Sequence, residues 1–212
     1  MAGRYEDELS DRVPMWMDAI EPLQAVRFDL DWDHAALLVI DMQHVFLEGS
    51  SKVQDAEPVI ARVADLVSEF RRRERPVIFT RHLHKDDGSD GGNLMWWWGS
   101  VIRESSEGGE LHKAIMPEEG DLVVRKNTYD AFNGTDLGKS LEEMGVTDVV
   151  VCGVMTNLCC ETTAREAFCR DLRVKFVADG TSTAADSMQI ATLINLAYGF
   201  AEVVVAEDLL SD

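Results

Sequence analysis

Val149–Phe168 reads VVVCGVMTNLCCETTAREAF. Val149–Val151 is a short, unbroken β-branched run, the pattern of a strand covered on both faces. A few residues later the pattern becomes helical, with a helix expected to begin near Cys159. A buried strand that passes through a polar turn into a helix is half of a βαβ unit, whose crossover is right-handed.

Working outward, the same alternation recurs in both directions. Upstream, Ala35–Ile40 (AALLVI), Val77–Phe79 and Leu122–Val124 read as strands; downstream, Val174–Val177 and Val203–Val205 do. Between them, Val59, Ile60, Val63, Leu66, Val67 and Phe70 recur at helical spacing and end in Arg71–Arg73, charges favoured at a helix C-terminus. Leu137, Leu141 and Met144 suggest another helix. Ser187–Tyr198 suggests a further one, with Met188, Ala191, Ile194 and Ala197 on one side. Six runs separated by helices predict an α/β fold: three α-β-α layers around a six-stranded, mostly parallel, doubly wound sheet. Residues 1–33 are polar and irregular apart from a short helix near Met15–Leu23. They read as an N-terminal arm packed on a domain of residues 34–212.

Composition narrows the function. Thirty-nine acidic residues stand against 20 basic ones, a formal net charge of −19. Such a surface repels phosphate backbones and anionic lipid, so neither nucleic acid nor a membrane is expected as a partner. The N-terminal MAGRYEDELSDR lacks the apolar core of a signal peptide, and no stretch has the roughly 18 apolar residues of a membrane span. Cys152, Cys159, Cys160 and Cys169 crowd one segment, a poor disulfide framework and not a structural zinc spacing. The expectation is a cytoplasmic protein with reduced thiols.

In sheets of this kind the ligand crevice lies beyond the carboxyl ends of the strands. Asp41 follows AALLVI, Lys126 follows LVVR, and Cys159 lies just past VVVCG. Taken singly, they read as a turn cap, a surface charge and a small hydrophobe. Taken together, they form an acyl-transfer set. A helix N-terminus and an ammonium favour a thiolate, and a carboxylate can take the thiol proton and return it to a departing amine. Spacing alone does not choose between the two readings.

Three blocks carry a resemblance: IDMQHVF (Ile40–Phe46), RKNTYDAF (Arg125–Phe132) and CGVMTNLCCETTAREAF (Cys152–Phe168). They are similar to the isochorismatase-like cysteine hydrolases, a group holding nicotinamidases, N-carbamoylsarcosine amidases and ureidoacrylate hydrolases. The resemblance runs from about Ala35 onward. It implies a catalytic triad of Asp41, Lys126 and Cys159, with Cys159 as nucleophile and Cys160 as a packing residue. It also implies a cis peptide between Val154 and Met155, and an oxyanion hole made by the backbone N–H groups of Met155 and Cys159. The implied reaction is hydrolysis of a carbon–nitrogen bond in a small amide-type substrate through a thioester, by a homo-oligomer. Cys159 argues against a vinyl-ether-cleaving isochorismatase.

Phe46, Tyr129, Phe132, His84 and Trp97 are the candidate substrate-binding residues, with core packing as the alternative for the phenyl and phenol rings. Asp130 stands where the family pattern has Ser. Trp96–Trp98, in the Gly- and Asp-rich segment from Lys85 to Gly109, suggest a lid or a subunit contact. Nicotinamidases hold a metal through an Asp-x-His pair; here TRHLH places His82 and His84 there. No cofactor is expected, with a divalent metal on His82 and His84 as the alternative to hydrogen-bonding roles. Nicotinamidase is the second functional reading, and a catalytically silent small-molecule-binding protein is the third.

Overall fold

The structure, a computed structural model, describes residues 9–211. The first eight residues of the expected arm lie outside the described residues. Six strands form one sheet: β1 (Ala35–Ile40), β2 (Val77–His82), β3 (Leu122–Lys126), β4 (Asp148–Val154), β5 (Arg173–Ser182) and β6 (Glu202–Val204). Their order is β3-β2-β1-β4-β5-β6, and every neighbouring pair is parallel. The three-layer, doubly wound α/β expectation holds, with a sheet that is parallel throughout.

The apolar runs become strands because helices cover them. All six residues of β1 are buried. On one side, α3 (Ala56–Arg72) packs on β1 and β5 and against α8 (Ala206–Leu210); its inward face is Val59, Val63, Leu66, Val67 and Phe70. Right-handed crossovers place α6 (Glu161–Cys169) and α7 (Asp186–Gly199) on the other side, where they pack on β5 and on each other. α5 (Leu137–Glu143) buries Leu137 and Leu141 on the β3-to-β4 crossover. The chain leaves β1 and β4, which are neighbours, in opposite directions. In open α/β sheets ligands bind beyond the carboxyl ends of the strands at such a reversal.

Three local expectations change. The first helix, α1, spans Leu9–Ile20 and ends in a 3-10 turn, Glu21–Leu23, so it starts six residues before Met15 and contains Pro14. Its inward face is Leu9, Arg12, Trp16 and Ile20. A buried arginine hides that stripe from a hydrophobic pattern, and Asp55 and Asp186 supply the partners for its charge. In α7 the inward residues are Gln189, Thr192, Leu193, Leu196 and Ala197, whereas Met188 is exposed. The face is rotated because Gln189 is fully hydrogen-bonded inside, to Thr156 Oγ1, the Ala178 carbonyl and Thr181. The segment 85–109 is not one long loop: it holds α4 (Gly92–Trp98) and a 3-10 turn at Glu107–Gly109. The remaining helix, α2 (His44–Leu47), is a single turn beyond β1.

Candidate active site

The carboxyl ends of four neighbouring strands bring their polar groups together. Asp41 is the first residue past β1, and its φ of 47° turns its side chain inward. Aspartate tolerates this left-handed conformation better than most residues. Thr80, on β2, accepts the Asp41 N–H at 3.0 Å and donates to Asp41 Oδ1 at 2.5 Å. Lys126 ends β3 on the same rung as His82, the end of β2.

Cys159 comes from the turn that follows β4. After β4 the Val154–Met155 peptide is cis. One π-helical turn, Thr156–Cys160, then runs into α6, so the helical segment starts three residues before Cys159. The Met155 carbonyl accepts the N–H groups of Leu158 (3.1 Å) and Cys160 (3.2 Å). Among the described residues, no protein acceptor takes the Met155 N–H. Behind the turn, Thr156 is tied to Gln189 at 2.6 Å. The turn reaches into the sheet because Gly153, at φ 113°, passes directly against β1: a Cβ there would sit 2.1 Å from the Ile40 carbonyl oxygen.

The three expected residues converge on one ammonium group. Lys126 Nζ lies 2.6 Å from Asp41 Oδ2, 3.0 Å from the Thr128 carbonyl and 3.3 Å from Cys159 Sγ. Burial pushes the Asp41 carboxyl up, but Lys126, helped by His82 and by hydrogen bonds, outweighs it and holds the group below its ordinary value. Burial likewise pushes Lys126 down, and Asp41 and Cys159 more than restore it. Both therefore stay ionised at neutral pH. Cys159 behaves otherwise. Burial drives its thiol above the ordinary range, with Lys126 opposing and Asp41 assisting. The low thiol pKa expected from a helix end and a nearby cation is overturned by desolvation; the resting group is a neutral thiol.

For His82 the sequence left two roles open, a hydrogen-bonding one and that of a metal ligand. Its Nδ1 lies 3.3 Å from Lys126 Nζ and 3.9 Å from Cys159 Sγ, and its Nε2 lies 3.1 Å from His84 Nε2. Burial, then Lys126, pushes it down to about 3, so the ring is neutral. Among the described residues, the potential metal ligands that gather are Asp41, His82 and Cys159, within 4.8 Å of one another. The Lys126 ammonium already contacts all three, and His84 is not in the group. A divalent cation there would sit against a buried positive charge. These residues do not fit one.

The aromatic candidates divide. Phe132 is buried in the core beneath the Arg170 guanidinium. Phe46 and Tyr129 are half-buried and pack on the core. All three indoles of α4 are more than half exposed. Trp97 lies tilted against Trp96, with ring planes at 57°, and it is Trp98 whose Nε1 donates to the Tyr129 hydroxyl at 2.8 Å. Cys160 is buried, and no cysteine is disulfide-bonded. Thr80 and the Thr128 carbonyl are contacts that the sequence reading missed, and within Trp96–Trp98 it named Trp97 rather than Trp98 for the pocket. Among the described residues, no helix is long and apolar enough to cross a membrane.

An all-parallel sheet in this order, with cysteine, lysine and aspartate gathered at its switch point, defines a hydrolase. The isochorismatase domain model matches residues 35–208. The chain belongs to the isochorismatase family. It is 46% identical over 177 residues to nicotinamidase 3 of Arabidopsis thaliana, covering 82% of this chain and 86% of that protein. Among solved structures it resembles a cysteine hydrolase from Pseudomonas syringae pv. phaseolicola, with a TM-score of 0.84 at 29% identity over 88% of this chain and 95% of that one. It also resembles N-carbamoylsarcosine amidase from Thermoplasma acidophilum, with a TM-score of 0.72 at 28% identity over 82% and 96% of the two chains.

Proposed function

We propose that this hydrolase cleaves the carbon–nitrogen bond of a small amide, carbamoyl or ureido compound through a thioester on Cys159. One observation carries the reading: the same Lys126 ammonium touches the Asp41 carboxylate and the Cys159 sulfur. Moving the thiol proton to Asp41 shifts negative charge from one side of that cation to the other. The net charge of the buried site does not change, so the step avoids the cost of creating a new buried charge. A thiolate is therefore made as the substrate arrives rather than held ready.

As the thiol proton passes to Asp41, the sulfur attacks the substrate carbonyl and a C–S bond forms. The Met155 and Cys159 N–H groups receive the oxyanion; removing one such donor typically costs on the order of 10²–10³ in rate. Asp41 then protonates the nitrogen, the C–N bond breaks, and ammonia or an amine leaves a thioester. Water, losing its proton to Asp41, hydrolyses the thioester and releases the acid. Asp41 returns the proton to sulfur. Lys126 stays charged throughout.

The names of the Arabidopsis nicotinamidase and the Thermoplasma amidase support C–N cleavage. The 46% identity to the former makes nicotinamide the second, more specific reading. The test is ammonia release from nicotinamide, N-carbamoyl amino acids, ureido acids and simple amides. At least one of these is turned over by the wild type and none by Cys159→Ala. Turnover that survives in Cys159→Ala overturns the thioester route; binding without ammonia release from any compound favours a silent binding protein.

A further inference from the structure

His82 sits where three strands end, and its surroundings fix it closely. Its backbone is held by Gln43, whose Oε1 accepts the His82 N–H at 2.7 Å and whose Nε2 donates to the His82 carbonyl at 3.2 Å. The ring is buried, with Lys126, Asp41 and Cys159 on its Nδ1 side and His84 on its Nε2 side. His84 Nδ1 in turn lies 3.2 Å from the Asp90 carbonyl oxygen.

The two ends of this chain determine its interior. An ammonium only donates, a carbonyl only accepts, and a neutral imidazole has one N–H and one bare nitrogen. Lys126 therefore donates to His82 Nδ1, His82 Nε2–H donates to His84 Nε2, and His84 Nδ1–H donates to the Asp90 carbonyl. Reversing either ring sets N–H against ammonium or a lone pair against a carbonyl oxygen.

Counting hydrogens shows what the bare nitrogen does. Lys126 has three N–H bonds and four acceptors: Asp41 Oδ2, the Thr128 carbonyl, His82 Nδ1 and Cys159 Sγ. The first two are nearest. His82 and Cys159, each at 3.3 Å, share the third hydrogen. A neutral thiol is a weak acceptor, so in the resting site that hydrogen rests on His82, and when the sulfur becomes charged it turns to the sulfur.

We propose that His82 is a positioning residue: its bare Nδ1 holds the third Lys126 hydrogen beside Cys159, and His84 and Asp90 fix the tautomer that keeps Nδ1 bare. This role rests on the thioester reading of Cys159, and the test separates the two. Nitrogen NMR of protein labelled in its histidine rings, at pH 7, reads the tautomers directly, with His82→Asn and His84→Asn assigning the signals. The expected result is His82 protonated at Nε2 alone and His84 at Nδ1 alone. A proton on His82 Nδ1 overturns the proposal.

Activity supplies the second arm, through two substitutions of similar shape. His82→Leu, which lacks an acceptor, lowers kcat about 10- to 100-fold with little change in KM, while His82→Asn, which keeps one, stays within about threefold of wild type. Equal kcat in the two variants means that the ring only fills space and overturns the proposal. Should His82→Leu not fold, the wild-type tautomers and His82→Asn decide. Turnover in Cys159→Ala would instead remove the thioester reading and leave the tautomers as measured.

Discussion

Lys126 Nζ lies 2.6 Å from Asp41 Oδ2, and neither side chain reaches solvent. Removing one member of a buried pair strands the other. Lys126→Met should therefore lower the unfolding free energy by roughly 3–5 kcal/mol and abolish turnover. Combining it with Asp41→Asn removes both charges, and that double variant should regain most of the stability and none of the activity. Urea unfolding of the two single variants and the double measures this; costs that simply add would mean that the pair is not coupled.

The same pair sets a pH window. Asp41 is held below its ordinary value, so its contribution is complete above about pH 3.9 and is lost as pH falls through the lower folded value. Lys126 is held above its ordinary value, so its contribution is complete below about pH 10.4 and is lost as pH rises through the higher folded value. His82, at about 3, does not titrate in between. Proton transfer from Cys159 to Asp41 exchanges nothing with solvent. A plot of kcat/KM should therefore be flat from about pH 5 to about pH 9. A limb centred near the ordinary histidine value of about 6.5 would show that the hydrogen-bonded His82–His84 pair titrates inside this window.

Gly153 should tolerate no side chain. At φ 113°, with a Cβ 2.1 Å from the Ile40 carbonyl oxygen, Gly153→Ala must push β1 and β4 apart just where Asp41 and Cys159 leave them. A loss of roughly 3 kcal/mol or more, together with loss of turnover, is expected. Thermal unfolding and ammonia release on the purified variant measure both. A near-wild-type melting temperature would show that the strands can give way.

The fold was legible because buried parallel strands leave unbroken apolar runs, and AALLVI and VVVC are such runs. It was misread where a polar group faces inward. Arg12 and Gln189 lie on the buried faces of α1 and α7 because partners distant in sequence satisfy them. No local pattern names those partners. Asp41, Lys126 and Cys159 could be singled out because each stands at a strand end. Thr80 could not, since a threonine inside VIFTRH looks like any β-branched strand residue. The role of His82 depends on Lys126 from the next strand and on His84 behind it, so its ring nitrogens have no meaning until the register is known. The state of the Cys159 thiol was misjudged for a related reason: a sequence shows the neighbouring charges but not the absence of water.

The first helix limits where this protein can be cut. Arg12 reaches Asp55 beside α3 and Asp186 at the start of α7, and the Trp16 indole donates to the same Asp186 at 3.0 Å. Both anchors lie before residue 35, where the family match begins. Expression trimmed to the family boundaries would strip Asp55 and Asp186 of the buried Arg12 guanidinium and uncover the apolar seam beneath Leu9, Trp16 and Ile20. The first helix works as a buckle, and a truncation library should count it as part of the enzyme.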